Sequence, residues 1–254
     1  MQLKVKNYLD LTLFYTKAYL LTEFRKNYLG IFWVFIEPAC YFGIYYLVFG
    51  FFLGGREEGF AEYLMTGIAS WHWFNKSLLS CSSSIYSAGK IIKKVNINKL
   101  VFPVAKSLSD GFKGLVMFTV LTVFLMMIKG QGVNFLLLVI IFLLNFIFIL
   151  SLNLVVSLLV PFLPDLRSLM PILTMGMMFC SAIFYYIAVV PEKYRIFLYL
   201  NPMYHIITTW RSVYNQGDIE LFVIGVIALF SMMLIVLSIL LERKLSKVLP
   251  LYVL

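Results

Sequence analysis

Charge is scarce in this 254-residue chain: 13% of its residues are Asp, Glu, Lys or Arg, where a soluble domain carries about 25%. With 62% hydrophobic residues and a mean hydropathy of +0.93, that shortage excludes a soluble globule. Histidine is rarer still. His72 and His205 stand in separate segments without a metal-ligand spacing, so no metal centre is expected. The three cysteines, Cys40, Cys81 and Cys180, are odd in number and isolated within apolar stretches, which supports neither a disulfide framework nor a thiolate site. No GxxxxGK[ST] phosphate loop occurs. Ala88-Gly89-Lys90 lacks the upstream glycine and the following hydroxyl, so the chain does not itself hydrolyse ATP. No Ser-His-Asp or paired-carboxylate arrangement assigns a catalytic residue.

What the chain has instead is long apolar runs, each beyond the roughly 18–20 residues that cross a bilayer. The pattern predicts an all-α membrane protein with six spans at about Ile31–Leu53, Tyr63–Ser87, Pro103–Ile128, Val133–Val160, Leu169–Val190 and Ile219–Leu241. The first begins about thirty residues in and is too long for a signal-peptide core, so no cleaved leader is expected. A net charge of +9 would suggest nucleic acid in a soluble protein; here it reads as topology. Lys4, Lys6, Lys17, Arg25 and Lys26 precede span one. Lys90, Lys93, Lys94 and Lys99 fill the second linker, and Arg243, Lys244 and Lys247 follow span six. The first linker sets Arg56 against Glu57, Glu58 and Glu62, and the third holds Lys129 alone. That bias puts both termini and the second linker in the cytoplasm, leaving Lys193, Arg195 and Arg211 outside.

Residues 1–30 read as a cytoplasmic interface helix and 31–254 as one transmembrane domain. The helix over 7–27 carries two apolar faces separated by narrow polar strips, one of them Thr12/Thr16/Glu23. It either wedges between lipid and protein or lies on the lipid interface. At the start of span one, Trp33 stands at interfacial depth and Glu37-Pro38 about 9 Å beyond Ile31. A carboxylate there calls for a partner, with Lys113 or Lys106 first and Arg25 as the alternative. Span two is too polar to face lipid, with His72, Asn75, Lys76, Ser77, Ser80 and Ser82–Ser84; close helix packing accounts for the serines but not for Lys76. Lys106, Asp110 and Lys113 share one face of span three, as an ion-pair stripe first and a contact for an anionic substrate as the alternative.

Two segments outside the spans carry functional expectations. Residues 89–102 form the largest cytoplasmic linker, and its Ile92, Val95 and Ile97 are candidates for contact with an energising partner. Residues 191–217 are too apolar for a solvated loop and are split by Asn201-Pro202, which predicts two short helices that either re-enter the outer leaflet or lie on it. Aromatic residues make up 17% of the chain. Beyond interface belts, Tyr and Trp suit a sugar-conducting path, because their faces pack on pyranose rings while their polar edges reach hydroxyls. Tyr41 and Tyr45 are the preferred pair, with Trp71 and Tyr185 near the exit and Tyr204 at an outer gate.

The chain resembles the membrane subunits of ABC exporters for lipid-linked polysaccharide, the capsule and O-antigen permeases. The resemblance rests on Tyr28-Leu29-Gly30 followed by Trp33 and Glu37-Pro38, on Phe102-Pro103, on Leu163-Pro164-Asp165 and on Leu200-Asn201-Pro202, in that order and over nearly the whole length. It implies a homodimer of six-span subunits around a central channel in the inner membrane. A separate cytoplasmic subunit would bind the ATP, and the permease itself would hold no cofactor. It also implies an interface helix, a coupling element between spans two and three, and a re-entrant pair before span six. Permeases for teichoic acid, drugs or haem share this plan. Of the other classes, a secondary transporter needs coupling carboxylates near the midplane, whereas Glu37 and Asp110 lie near the cytoplasmic end. A membrane transferase needs an interfacial catalytic carboxylate or histidine, and no convincing set occurs.

Overall fold

The computed structural model describes residues 5–26, 28–52, 58–95, 97–130, 132–246 and 248–252, with side chains from Tyr8 onward. Lys4, Leu53, Arg56, Glu57 and Lys247, used above for span ends and orientation, lie outside the described residues. Among the described residues the chain is helical without a strand. Helix α1 (Val5–Lys26) is followed by a 3-10 turn, then α2 (Trp33–Tyr45), which runs on as a π-helix through Tyr46–Phe52. Next come α3 (Phe60–Ser82), two single turns α4 (Ser84–Ser87) and α5 (Gly89–Ile92), α6 (Val101–Lys129) and α7 (Phe135–Leu159). The chain ends with α8 (Leu166–Phe179), α9 (Glu192–Tyr199), α10 (Pro202–Asn215), α11 (Leu221–Leu245) and α12 (Leu249–Tyr252).

Among the described residues four stretches are long and apolar enough to cross a membrane: Gly30–Phe52, Val101–Lys129, Phe135–Leu159 and Leu221–Leu245. The predicted second span is one helix only to Ser82, where Ser83 breaks it. The predicted fifth span is corrected further. Its helix stops at Phe179 after 14 residues, about 21 Å at 1.5 Å per residue, and does not continue to Val190. Residues Ser181–Phe184 instead form a buried turn.

Helix α3 lies at the centre and packs against α2, α6, α7, α8 and α10. Its serines are answered by asparagines of α7. Asn153 Nδ2 donates to Ser77 Oγ and Ser107 Oγ, both at 2.9 Å, and Asn145 Nδ2 to Ser70 Oγ at 3.4 Å. These polar groups are buried and joined helix to helix, which is how a bilayer protein avoids orphaned donors. Glycine gives α6 its close approach: a Cβ on Gly114 would collide with the Trp73 indole, which stacks on Phe142 at 5.0 Å.

The caps are local. Asn134 accepts from Leu136 N at 3.0 Å and Leu137 N at 3.3 Å to start α7. Asn201 accepts from Met203 N at 3.0 Å to start α10, with Pro202 in the first turn, where its missing N–H costs nothing. Gly130 closes α6 with φ 61°, a conformation that glycine adopts without strain.

Contacts sort the linkers into two ends. Glu62 pairs with Lys129 at 2.8 Å, and Gln216 Nε2 donates to Gly132 O at 2.9 Å. The start of α3, the α6–α7 linker and the end of α10 therefore share one end. At the other, Ile92, Ile97, Phe102, Leu158 and Leu249 form one buried cluster, and Phe162 meets Tyr252 at 4.9 Å between ring centres. Most of the described linker lysines and arginines stand at this second end.

Arg211 is buried in α10 and has no carboxylate within ion-pair distance among the described residues. Its guanidinium donates to Ala182 O at 3.0 Å and Tyr63 O at 3.2 Å and lies 3.2 Å from the centre of the Tyr63 ring. The Tyr63 hydroxyl donates to Ala182 O at 2.8 Å and Tyr185 O at 2.7 Å. Together they hold a turn in which Ala182 takes φ 49°, a strained value for a residue with a Cβ. Arg211 is thus part of the packing and carries no orientation signal.

Gly114→Ala is expected to destabilise the fold by about 1–3 kcal/mol through overpacking against a rigid indole. Gly43→Ala has nothing within 4 Å of its added Cβ and should be neutral or stabilising. Thermal melts of the two variants in one detergent check the contrast.

Candidate functional site

Two cavities meet inside the bundle. One, of about 420 Å³, lies among α1, α2, α3 and α6, with Glu23, Trp33, Glu37, Lys76, Asp110 and Lys113 on its walls. The other, of about 640 Å³, lies among α2, α3 and α8, with Tyr41, Tyr45, Trp71, Asn75, Met175 and Phe184 on its walls. Glu37, His72 and Lys76 line both.

At this junction Lys76 Nζ donates to Glu37 Oε2, and His72 Nε2 stands 3.8 Å from the same oxygen. The partner of Glu37 is therefore Lys76, not Lys113, Lys106 or Arg25. The reason is register. His72 and Lys76 are one turn apart on the face of α3 that meets α2, whereas Lys106 and Lys113 are already taken. Glu37 and Lys76 keep side-chain exposures of 31% and 41%, so this pair remains in reach of water.

In the second charge cluster the three α6 members are shielded, while Glu23 stays partly exposed. Lys113 Nζ lies 2.6 Å from Asp110 Oδ1 and 2.8 Å from both Glu23 carboxylate oxygens. Lys106 Nζ lies 3.4 Å from Asp110 Oδ1 and 3.2 Å from Glu23 Oε2, and Ser80 Oγ donates to Asp110 Oδ2 at 2.9 Å. The predicted stripe is an ion-pair network, as its spacing implied. Glu23, placed only in a polar strip of α1, completes it and fastens α1 to α6. Two lysines against one aspartate on α6 was the signal for a second carboxylate. Partial burial alone would raise the Glu23 carboxyl, but Lys106 and Lys113 outweigh it and hold the group below its ordinary value.

The aromatic candidates divide. Tyr41 and Tyr45 stack at 6.3 Å with 16° between ring planes, Tyr45 meets Phe184 at 4.6 Å, and both tyrosines line the second cavity with Trp71. Tyr185 and Tyr204 line neither cavity. The Tyr185 hydroxyl is spent on Phe179 O at 2.6 Å, and Tyr204 is buried with Ala182 and Leu198. Phe184, not among the expected aromatic residues, takes the place assigned to Tyr185. Of the linker candidates, Ile92 and Ile97 are buried in the cluster with Phe102 and Leu158. Val95, with Ile91 beside it, is exposed. Among the described residues no three His, Cys, Asp or Glu side chains gather as a metal site.

A pair of joined cavities with charged and aromatic groups on their walls, set among helices long and apolar enough to cross a membrane, marks a multi-pass membrane protein of permease type. The chain belongs to the ABC-2 type transporter family, whose profile matches residues 11–215. It is 26% identical to each of two O-antigen export system permease proteins RfbA of Klebsiella pneumoniae. One alignment covers 93% of this chain and 92% of the relative; the other covers 97% of each. It is 23% identical to the polysialic acid transport protein KpsM of Escherichia coli over 78% of this chain and 79% of that one.

The Glu23 network sets a pH dependence for the docking of α1. A carboxyl held below its unfolded value, about 4.3 for glutamate, contributes its full stabilisation above that value and loses it as pH falls through the lower folded value. Glu23→Gln should weaken the α1–α6 contact by about 1–3 kcal/mol and abolish this acid dependence. Hydrogen exchange of α1, corrected for intrinsic rates across pH, reads both effects.

Proposed function

We propose that this chain is the channel-forming permease of an exporter that carries a lipid-linked polysaccharide across the inner membrane, driven by a separate cytoplasmic ATPase. The observation that carries the reading is the second cavity: a stacked tyrosine wall facing amide, hydroxyl and ammonium groups. A sugar polymer must exchange water for many weak contacts, none strong enough to stall it. Tyr41, Tyr45 and Trp71 offer ring faces for pyranose stacking, while Asn75, Ser80 and the Glu37–Lys76 pair offer hydrogen bonds. The printed names of the relatives, O-antigen export and polysialic acid transport, support the same substrate class.

In this reading six spans cross the membrane. Helix α3 and the α8 unit with its buried turn join the four long apolar stretches, and both termini lie in the cytoplasm with the lysine-rich end. Helices α9 and α10 form a re-entrant pair on the outer side: α10 is buried against α3 and α7, while α9 exposes Tyr194, Ile196 and Phe197. Two copies face their second cavities toward a shared path. The ATPase engages the 89–102 linker through Ile91 and Val95, which are presented on a base of buried Ile92 and Ile97, with α1 alongside.

Tyr41→Ala and Tyr45→Ala should each cut surface polysaccharide by up to about tenfold at normal membrane abundance, the weight of a lost stacking contact of roughly 0.5–1.5 kcal/mol. Tyr→Phe should retain export. Full export by both alanine variants would remove the tyrosines from the path.

The linker makes a split prediction. Ile91→Ser with Val95→Ser should leave abundance unchanged but uncouple ATP hydrolysis from export. Ile92→Ala or Ile97→Ala, which opens a packed cluster, should cost about 2–5 kcal/mol and lower abundance instead. Normal coupled export by the Ile91/Val95 double variant would show that the linker does not transmit the ATPase stroke.

A further inference from the structure

At the lysine-rich end, where the 89–102 linker meets the residues after α11, a cavity of about 540 Å³ has Lys93, Lys94 and Lys99 on one side and Ser246 and Pro250 on the other. Lys99 is only 6% exposed, and its side chain makes no hydrogen bond or ion pair among the described residues. Its ammonium is not among the sealed, unpaired polar atoms of the described residues, so it opens onto the cavity with no counter-charge beside it. The contrast lies within the same molecule: the shielded lysines Lys106 and Lys113 each touch two carboxylates. No carboxylate is among the described residues lining the cavity. Glu242, near the end of α11, is not on its wall and makes no ion pair within 4.0 Å among the described residues. Lys93 and Lys94 are exposed at the rim, so three positive charges converge on one concave space.

The location narrows the ligand. Lys99 stands two residues before the start of α6, and Ser246 directly follows α11; both helices are long and apolar enough to cross a membrane. The cavity therefore lies where two candidate membrane-crossing helices end. Beside it Val248, Leu251 and Tyr252 are exposed at 40%, 81% and 52%. Lysines set among exposed apolar side chains match an anionic lipid surface, where the cations meet phosphate and the apolar groups enter the acyl region.

We propose that this cavity binds a phosphate-bearing anion, supplied at this depth by the headgroup of an anionic phospholipid, with Lys99 contacting the phosphate from inside and Lys93 and Lys94 from the rim. Bound there, the lipid bridges the linker to the segment after α11 and makes the position of the linker depend on the surrounding membrane.

The test is native mass spectrometry of the full-length chain in micelles titrated with phosphatidylglycerol or phosphatidylcholine of matched acyl chains, with inorganic phosphate as competitor. Phosphatidylglycerol should be retained in preference to phosphatidylcholine. The preference should fall about fivefold for each lysine removed, the weight of one basic residue at an anionic surface. Lys93→Gln/Lys94→Gln changes only exposed side chains and keeps the test valid where Lys99→Gln fails to fold. Displacement by inorganic phosphate supports the site and makes the phosphate the recognised group; retention in its presence supports a site that needs the lipid as well. Equal binding of the two lipids overturns the proposal, as does a preference unchanged in the double variant. Carbodiimide crosslinking of Lys94 to an acidic residue of a co-purified protein, with no lipid preference, overturns it too, because the cavity is then a protein-docking surface.

Discussion

Helix α3 is too polar to face lipid, and the rest of the bundle is arranged around that constraint. A serine or asparagine in hydrocarbon must find its hydrogen bond inside the protein. The solution is to wrap the polar helix with apolar ones that each carry one or two matching groups. Helix α7 is almost wholly apolar, yet it places Asn145 and Asn153 against Ser70 and Ser77. Helix α6 adds Ser107 to the same bond set and clears room for Trp73 with Gly114. Gly67 does the same for Arg211, whose Nη2 would lie 2.8 Å from an added Cβ. Gly114 and the asparagines of neighbouring helices follow from the side chains that α3 carries, and Gly67 of α3 answers Arg211 of α10.

Charges inside the bundle are handled in two ways, and the difference bears on motion. The Glu23–Lys106–Asp110–Lys113 set is charge-balanced and largely shielded, and removing any one member leaves a partner uncompensated. It behaves as a fastener. The Glu37–Lys76 pair stands at the junction of two cavities with side-chain exposures of 31% and 41%. Water can take over either partner there, so separating them costs far less. Of the two sets, the exposed one can open and re-form as contents of the cavities change. Its helix also suits movement: α2 contains Pro38 and passes into a π-helix at Tyr46, both of which loosen the regular i to i−4 ladder.

The all-helical class and the four long apolar stretches were legible in the residues, because a run of twenty apolar side chains has one stable solution in lipid. The ion-pair stripe on α6 was legible too, because three charges at helical spacing can only face one way. The partner of Glu37 was not. Its choice depends on which face of α3 turns toward α2, and helix rotation leaves no mark in a segment whose polar groups surround it on several sides. Nor was the burial of Ile92 and Ile97 visible. Alternation of lysine and β-branched residues in the linker says that one face is apolar, but only Leu158 and Leu249 from distant parts of the chain show that this face turns inward. Arg211 misled for a related reason: a charge counted as a topological signal is spent on carbonyl oxygens.

Those carbonyls explain why an arginine is buried at all. Helix α8 covers about 21 Å, well short of the roughly 30 Å of a hydrocarbon core, and the chain then leaves helical geometry at Cys180. Each residue of the turn that follows has a carbonyl without an intrahelical partner, and burial makes each one costly. Donors must come from elsewhere. Arg211 and Tyr63 supply Ala182, Tyr63 supplies Tyr185, and Asn201 Nδ2 donates to Cys180 O at 3.0 Å. An arginine is suited to this because its planar fork reaches several oxygens at once. The return is positional: with these carbonyls bonded, the turn can project Phe184 against Tyr45 and Phe49, at 4.6 and 4.7 Å between ring centres. One side of the aromatic wall is thus carried by irregular backbone, held in place by a cation from α10 and a phenol from α3.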